Sequence, residues 1–343
     1  MKFNKIIALT LALITLFAVT IFSSSAVYGN TDAEIAKFQK GVGPKTKGLA
    51  IDYHYFSPVE NESDTTKYPL VIWLHGFSDG FKEESRFSAS DIEMWANDDY
   101  QSRFKDSNGA FILVPRALEN KGITWGNTLI RPLRATIDNF ISKNKDSIDV
   151  SRIYIGGYSM GGGMVLKMAV AYPDMFAAIF PICPKWLPSK SAAEKISNLP
   201  MWLTGGAKDK IVNYYAEIVP VWDVVISESK IPEICRFSTL GKTLYPDGSK
   251  APMAHYSWFA VNYDMFSSKK DDYPTMKTIN GNGDTVNLTY PDGMISWLSD
   301  FSSNYDGAPA TDNGNKEAYK ATETLNIFKF ITYYFKNFIN YNF

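Results

Sequence analysis

The segment Gly157-Tyr158-Ser159-Met160-Gly161 constrains this chain more than any other feature. A β-type apolar run at 152–157 leads straight into it. Gly162, Gly163 and a helical pattern over 161–172, closed by Pro173, follow. A serine at so sharp a strand-to-helix turn sits in strained backbone geometry, and side chains two positions either side would collide with it. The turn also sets the hydroxyl at a helix N-terminus, where developing negative charge is stabilised. The spacing predicts a nucleophile at Ser159.

Apolar runs recur on both sides of that turn, at 49–56, 69–75, 110–115, 178–183, 200–204 and about 234–245. Helix-period segments separate several of them, as in Ile130, Leu133, Ile137, Phe140 and Ile141. Strands apolar through both faces and alternating with helices predict a mostly parallel sheet with helices on both faces, a doubly wound α/β architecture. Two stretches break the pattern. Residues 267–290 are polar and turn-rich, and read as a surface insertion. Residues 304–322 read as a polar linker after a catalytic domain spanning 46–303. With 35 basic against 36 acidic residues and no basic stripe, nothing points to a nucleic-acid partner.

The first 29 residues read as a secretory signal peptide: Lys2 and Lys5, an uncharged run over 6–22, then Ser23, Ser24, Ser25 and Ala26. An uncleaved membrane anchor is the competing reading. Cleavage implies secretion, with 30–45 as a lead-in to the domain. In an oxidising compartment the two cysteines, Cys183 and Cys235, can pair. The expected strand positions put them ~10 Å apart, so two buried thiols are expected instead.

A serine hydroxyl needs a base, and the chain holds three histidines. His54 lies in an early strand, and His75 precedes the serine. His255 falls after the last core strand, where the chain order serine, acid, histidine requires the base. Asp209, in the exit loop of the 200–204 strand, is the expected acid. Asp223 is the runner-up, in a helical-looking stretch. The backbone N–H groups of Phe77 and Met160 are the expected oxyanion donors. Trp125 and Trp258, on loops at the sheet's carboxyl edge, are candidates to wall a substrate pocket, with core packing the alternative.

Residues 46 to about 300 resemble bacterial secreted esterases of the prolyl-oligopeptidase-like branch, a group that includes feruloyl-esterase-like proteins and so-called predicted peptidases. The resemblance rests on Tyr68-Pro69-Leu70-Val71-Ile72-Trp73-Leu74-His75-Gly76, on 149–154, on the elbow, on Gly206-Ala207-Lys208-Asp209 and on His255-Tyr256-Ser257-Trp258. It implies an α/β-hydrolase fold and ester hydrolysis through an acyl-enzyme, with no metal or cofactor. The substrate would be a small or polysaccharide-linked ester, aryl, feruloyl, acetyl or polyester. Two positions depart from the pattern: Ala254 stands where glycine usually precedes the histidine, and Phe77 where small residues are common. A serine peptidase and a non-catalytic binding protein of the same fold are the alternatives. The C-terminal segment 323–343 places Ile327, Ile331, Tyr334, Phe335 and Phe338 on one helical face. It is too polar to span a bilayer, which leaves docking on the domain, a membrane surface or another chain.

Overall fold

The computed structural model describes residues 31–61, 63–77, 91–267, 276–288 and 293–320. The expected signal peptide (1–29) and aromatic segment (323–343) lie outside them. Among the described residues nine strands form one sheet: β1 (Gln39–Val42), β2 (Asp52–Phe56), β3 (Tyr68–Leu74), β4 (Phe111–Pro115), β5 (Ile148–Tyr158), β6 (Ala178–Ile182), β7 (Trp202–Gly206), β8 (Arg236–Leu240) and β9 (Met276–Asn280). Their order is β1-β2-β4-β3-β5-β6-β7-β8-β9. The six strands from β4 to β8 run parallel, while β1, β2 and β9 are antiparallel additions at the two edges.

The central strands are continuous apolar runs because both faces are covered: every residue of β3, β4, β6 and β7 is buried. The principal covering helices are α1 (Ile130–Lys143), α2 (Met160–Ala171) and α3 (Val219–Glu228), with short helices α4 (Trp258–Asn262) and α5 (Met294–Leu298) beyond β8 and β9. Among the large side chains with no exposure, Trp73, Trp202 and Phe180 fix the sheet's faces. Each contributes at least ~1.5–3 kcal/mol by burial. Helix α2 is buried from Gly161 to Ala171, which explains a segment apolar all round rather than on one stripe. Among the described residues no helix is long and apolar enough to cross a membrane.

Three expectations need correction. Part of the 30–45 lead-in belongs to the sheet, since Gln39 to Val42 pair with Tyr55 to Asp52 of β2. The polar stretch 267–290 contains β9, paired along its length with β8. Its polarity suits an edge strand, and its threonine finds a partner inside: Trp202 Nε1–H donates to Ser238 Oγ at 2.8 Å, and Ser238 Oγ lies 2.7 Å from Thr278 Oγ1. Finally, residues 304–320 are not a free linker. Arg134 on α1 donates to Tyr305 Oη and to the Ala308 carbonyl, both at 2.9 Å, and Lys167 on α2 donates to the Ala318 carbonyl at 3.0 Å. The segment docks along the helix layer through its backbone carbonyls, which composition does not reveal. Both cysteines are free and buried, as their strand positions imply.

Candidate active site

Strand β5 delivers Ser159 to the carboxyl edge of the sheet with φ 57° and ψ −117°, in the strained region that side chains rarely adopt. Three backbone hydrogen bonds hold it there. Its N–H donates to the Ile182 carbonyl at 2.9 Å, while its carbonyl accepts from Gly163 at 3.0 Å and from Lys185 at 2.9 Å. The flanking glycines are steric necessities. A Cβ on Gly157 would press on the Leu74 carbonyl, and one on Gly161 on the carbonyls of Leu74 and His75. Met160 opens α2, so its N–H is one of the unpaired donors of the helix's first turn.

Two strands away, β7 ends at Gly206 and turns into Asp209. Both oxygens of the Asp209 carboxylate are bonded: Oδ1 accepts the N–H groups of Ile211 at 2.8 Å and Val212 at 3.1 Å, and Oδ2 meets Nδ1 of His255 at 2.7 Å. His255 lies in the loop between β8 and α4, held by the Thr243 hydroxyl, which donates to the Ala254 carbonyl at 3.1 Å. Ala254 in turn abuts Gly206, where a Cβ would strike the Ala254 carbonyl. With Nδ1–H donated to Asp209, Nε2 of His255 is the free acceptor.

The Ser159 backbone and the His255 loop meet through two contacts. Tyr158 packs on Trp258 with ring centroids 4.1 Å apart, and Trp258 stands edge-on to His255 at 6.0 Å. The second contact is Cys183, which follows the Ile182 that binds Ser159. Its Sγ, a carboxylate oxygen of Asp209 and a ring nitrogen of His255 all lie within 4.8 Å of one another. Ser159 and His255 are 8% exposed, Asp209 3% and Cys183 0%. Burial disfavours the charged imidazolium, but the Cys183 sulfur and the Asp209 carboxylate favour it, and together they raise the His255 pKa above its ordinary value.

The remaining candidates fall as follows. His75 donates through Nδ1 to the Gly76 carbonyl at 2.7 Å and accepts at Nε2 from the Ala117 N–H at 3.0 Å, so both ring nitrogens are spent on shaping its loop. Phe77 ends the described part of that loop with a half-exposed side chain. Asp223 lies inside α3, four residues after its start. Trp125 packs on His75 at 5.3 Å and is buried, as is Trp258 beside His255. Among the described residues neither indole N–H finds an acceptor. Sequence reasoning placed Cys183 at a strand end but missed its contact with His255.

The sheet order, the serine elbow and the acid–histidine pair at neighbouring strand ends define an α/β-hydrolase fold. In fold the chain is similar to a thermostable esterase of known structure, with a TM-score of 0.58 at 24% identity over 79% of this chain and 64% of the esterase. Residues 119–219, which include the elbow and Asp209, match the Phospholipase/Carboxylesterase family. The chain is also 32% identical over 174 residues to poly(3-hydroxyalkanoate) depolymerase C of Paucimonas lemoignei, covering 49% of this chain and 38% of the relative. It is 27% identical over 143 residues to poly(3-hydroxybutyrate) depolymerase of Ralstonia pickettii, covering 38% and 28%. The matched stretches thus span well under half of either curated relative.

Proposed function

We propose that the chain is a secreted serine hydrolase that cleaves carboxylic esters through an acyl-enzyme. The observation that carries this reading is the strained Ser159 elbow beside a buried Asp209–His255 pair whose imidazole keeps Nε2 as its acceptor. Nε2 takes the Ser159 proton as Oγ attacks the ester carbonyl. The Met160 and Phe77 amides hold the oxyanion, and the imidazolium, steadied by Asp209, returns the proton to the leaving alcohol. Water, activated by the same base, then releases the acyl group. Trp258 and Trp125 wall the pocket, where their indole N–H groups, without an acceptor among the described residues, suit carbonyl acceptors on the substrate. Among the ester classes the sequence leaves open, the names of the two depolymerases favour hydroxyalkanoate esters.

A fluorophosphonate probe tests the mechanism, with peptide mapping of the labelled serine. We expect a single adduct on Ser159, lost in Ser159→Ala together with hydrolysis while circular dichroism is unchanged. Labelling at another serine overturns the assignment. Parallel rates on hydroxyalkanoate oligomers, feruloyl and acetyl esters and peptide amides then rank the substrates, and faster amide cleavage would favour a peptidase.

A further inference from the structure

The mechanism above leaves a buried nucleophile beside the acid–histidine pair unused. Cys183 has no solvent exposure, yet its sulfur sits with the Asp209 carboxylate and the His255 ring, the three donor atoms within 4.8 Å of one another. We propose that Cys183, Asp209 and His255 form a site for a soft divalent cation, Zn²⁺, whose binding switches the hydrolase off. This inference rests on the reading of His255 as general base.

The donor set is the argument. Thiolate, imidazole and carboxylate are the three side-chain ligands zinc takes, while magnesium and calcium select oxygen alone. Donors on a tetrahedral zinc stand roughly 3.3–3.6 Å apart, given Zn–N near 2.0 Å and Zn–S near 2.3 Å. The Nδ1–Oδ2 pair at 2.7 Å has to open by about half an ångström or slightly more, and the sulfur, within 4.8 Å of the other two donors, has to close by up to about 1.3 Å. Side-chain rotations of Cys183 at the end of β6, and of Asp209 and His255 in their loops, make both changes. Thiolate and carboxylate together carry two negative charges, which balance the cation in a buried place.

The proton inventory explains why such binding inhibits. Binding is counted from a Cys183 thiol and a neutral His255 that donates its Nδ1–H to Asp209. Zinc forms bonds to Sγ, Nδ1 and a carboxylate oxygen. The thiol proton leaves to solvent, and the imidazole stays neutral only by carrying its proton on Nε2 instead of Nδ1. One proton is released per zinc. Nε2–H is a donor, so it no longer accepts the Ser159 proton. The same contact that orients the base is the one the metal takes.

The test measures ester hydrolysis by the full chain against free Zn²⁺ in a metal buffer. A parallel titration uses Co²⁺, read by the thiolate-to-cobalt charge-transfer band. Wild type should lose at least about tenfold in kcat/KM, recovered with a chelator. Cys183→Ala and Cys183→Ser, each compared with its own metal-free rate, should need at least about tenfold more zinc and show no charge-transfer band. The Ser159→Ala protein should still give that band, with about one proton released per metal. Equal zinc sensitivity in wild type and both Cys183 variants overturns the proposal, as does a cobalt titration of wild type with no sulfur band. A protein that hydrolyses no ester fails the parent reading instead, and the cobalt titration still decides the site.

Discussion

His255 receives opposing instructions: burial asks it to be neutral, and a carboxylate at 2.7 Å and a nearby sulfur ask it to be charged. The second influence prevails, and a base must be neutral to accept the Ser159 proton. The sign follows: kcat/KM for an uncharged ester is low while His255 is protonated and rises with pH as it loses its proton. An unperturbed imidazole would put that midpoint near ~6.5. The raised pKa moves it to higher pH, which a pH–rate profile reads directly, and a midpoint at or below the ordinary value would contradict the environment described. The acid's identity is testable at the same scale. Asp209 uses both carboxylate oxygens, on His255 and two loop amides, whereas Asp223 sits in a helix. Asp209→Asn puts an amide where a carboxylate fixed the tautomer. It should lower kcat/KM by at least ~10²-fold, since the equivalent change in a serine protease costs ~10⁴ in kcat. Asp223→Asn should change it by less than about tenfold. Rates for both, taken at one pH on folded protein, check this.

At the scale of elements, the elbow joins β5 to α2 where four backbones crowd, and its glycines respond differently to a methyl group. Alanine in a helix interior is better than glycine by ~1 kcal/mol, so Gly163→Ala, whose Cβ would meet Lys185 backbone at a tight 3.1 Å, should come out near neutral. Gly161→Ala must push back the carbonyls of Leu74 and His75, which belong to the loop that carries Phe77. It should lose about 1–3 kcal/mol in denaturant unfolding and hydrolysis with it. A Gly161→Ala protein as stable and active as the parent would mean the turn is looser than its geometry. The same contrast explains what was legible in the sequence. The central strands announce themselves because both faces are buried, and Ser159 because strand, glycines and helix all stand within a short local window. β1 and β9 did not, being short edge strands of mixed polarity, Gln39-Lys40-Gly41-Val42 and Met276-Lys277-Thr278-Ile279-Asn280. The Cys183–His255 contact stayed hidden for another reason. It depends on how β6 registers against a loop 72 residues further along, which no local pattern encodes.

At the scale of the whole molecule, the last described segment acts as a brace over the helix layer. Ser303 N–H donates to the Ser151 carbonyl at 2.7 Å, Asn315 N–H to the Ala171 carbonyl at 2.8 Å, and Trp186 Nε1–H to the Lys320 carbonyl at 3.3 Å. Arg134, buried between Tyr172 and Tyr305, and Lys167, over the Trp186 ring at 4.3 Å, each satisfy N–H donors on carbonyls of this segment. Ser159, Asp209 and His255 make none of these bonds. Two truncations therefore separate support from chemistry. Removing 323–343 leaves every hydrogen bond named here in place, so turnover of a small soluble ester should stay within about twofold of the full chain, and a larger loss would assign that segment a part in the site. Removing 303–343 strips partners from Arg134 and Lys167 and uncovers Ala318's seat on α2. Each buried donor left unpaired costs ~1–3 kcal/mol. At ~2–4 °C per kcal/mol for a domain somewhat smaller than this one, the melting temperature should fall by about 5–10 °C. The surviving folded fraction, assayed well below that temperature, should keep most of its kcat, because none of the brace's bonds named here involves Ser159, Asp209 or His255. Equal melting temperatures for the two truncations would show that the carbonyl contacts of 303–320 add nothing, and that its docking follows the fold without supporting it.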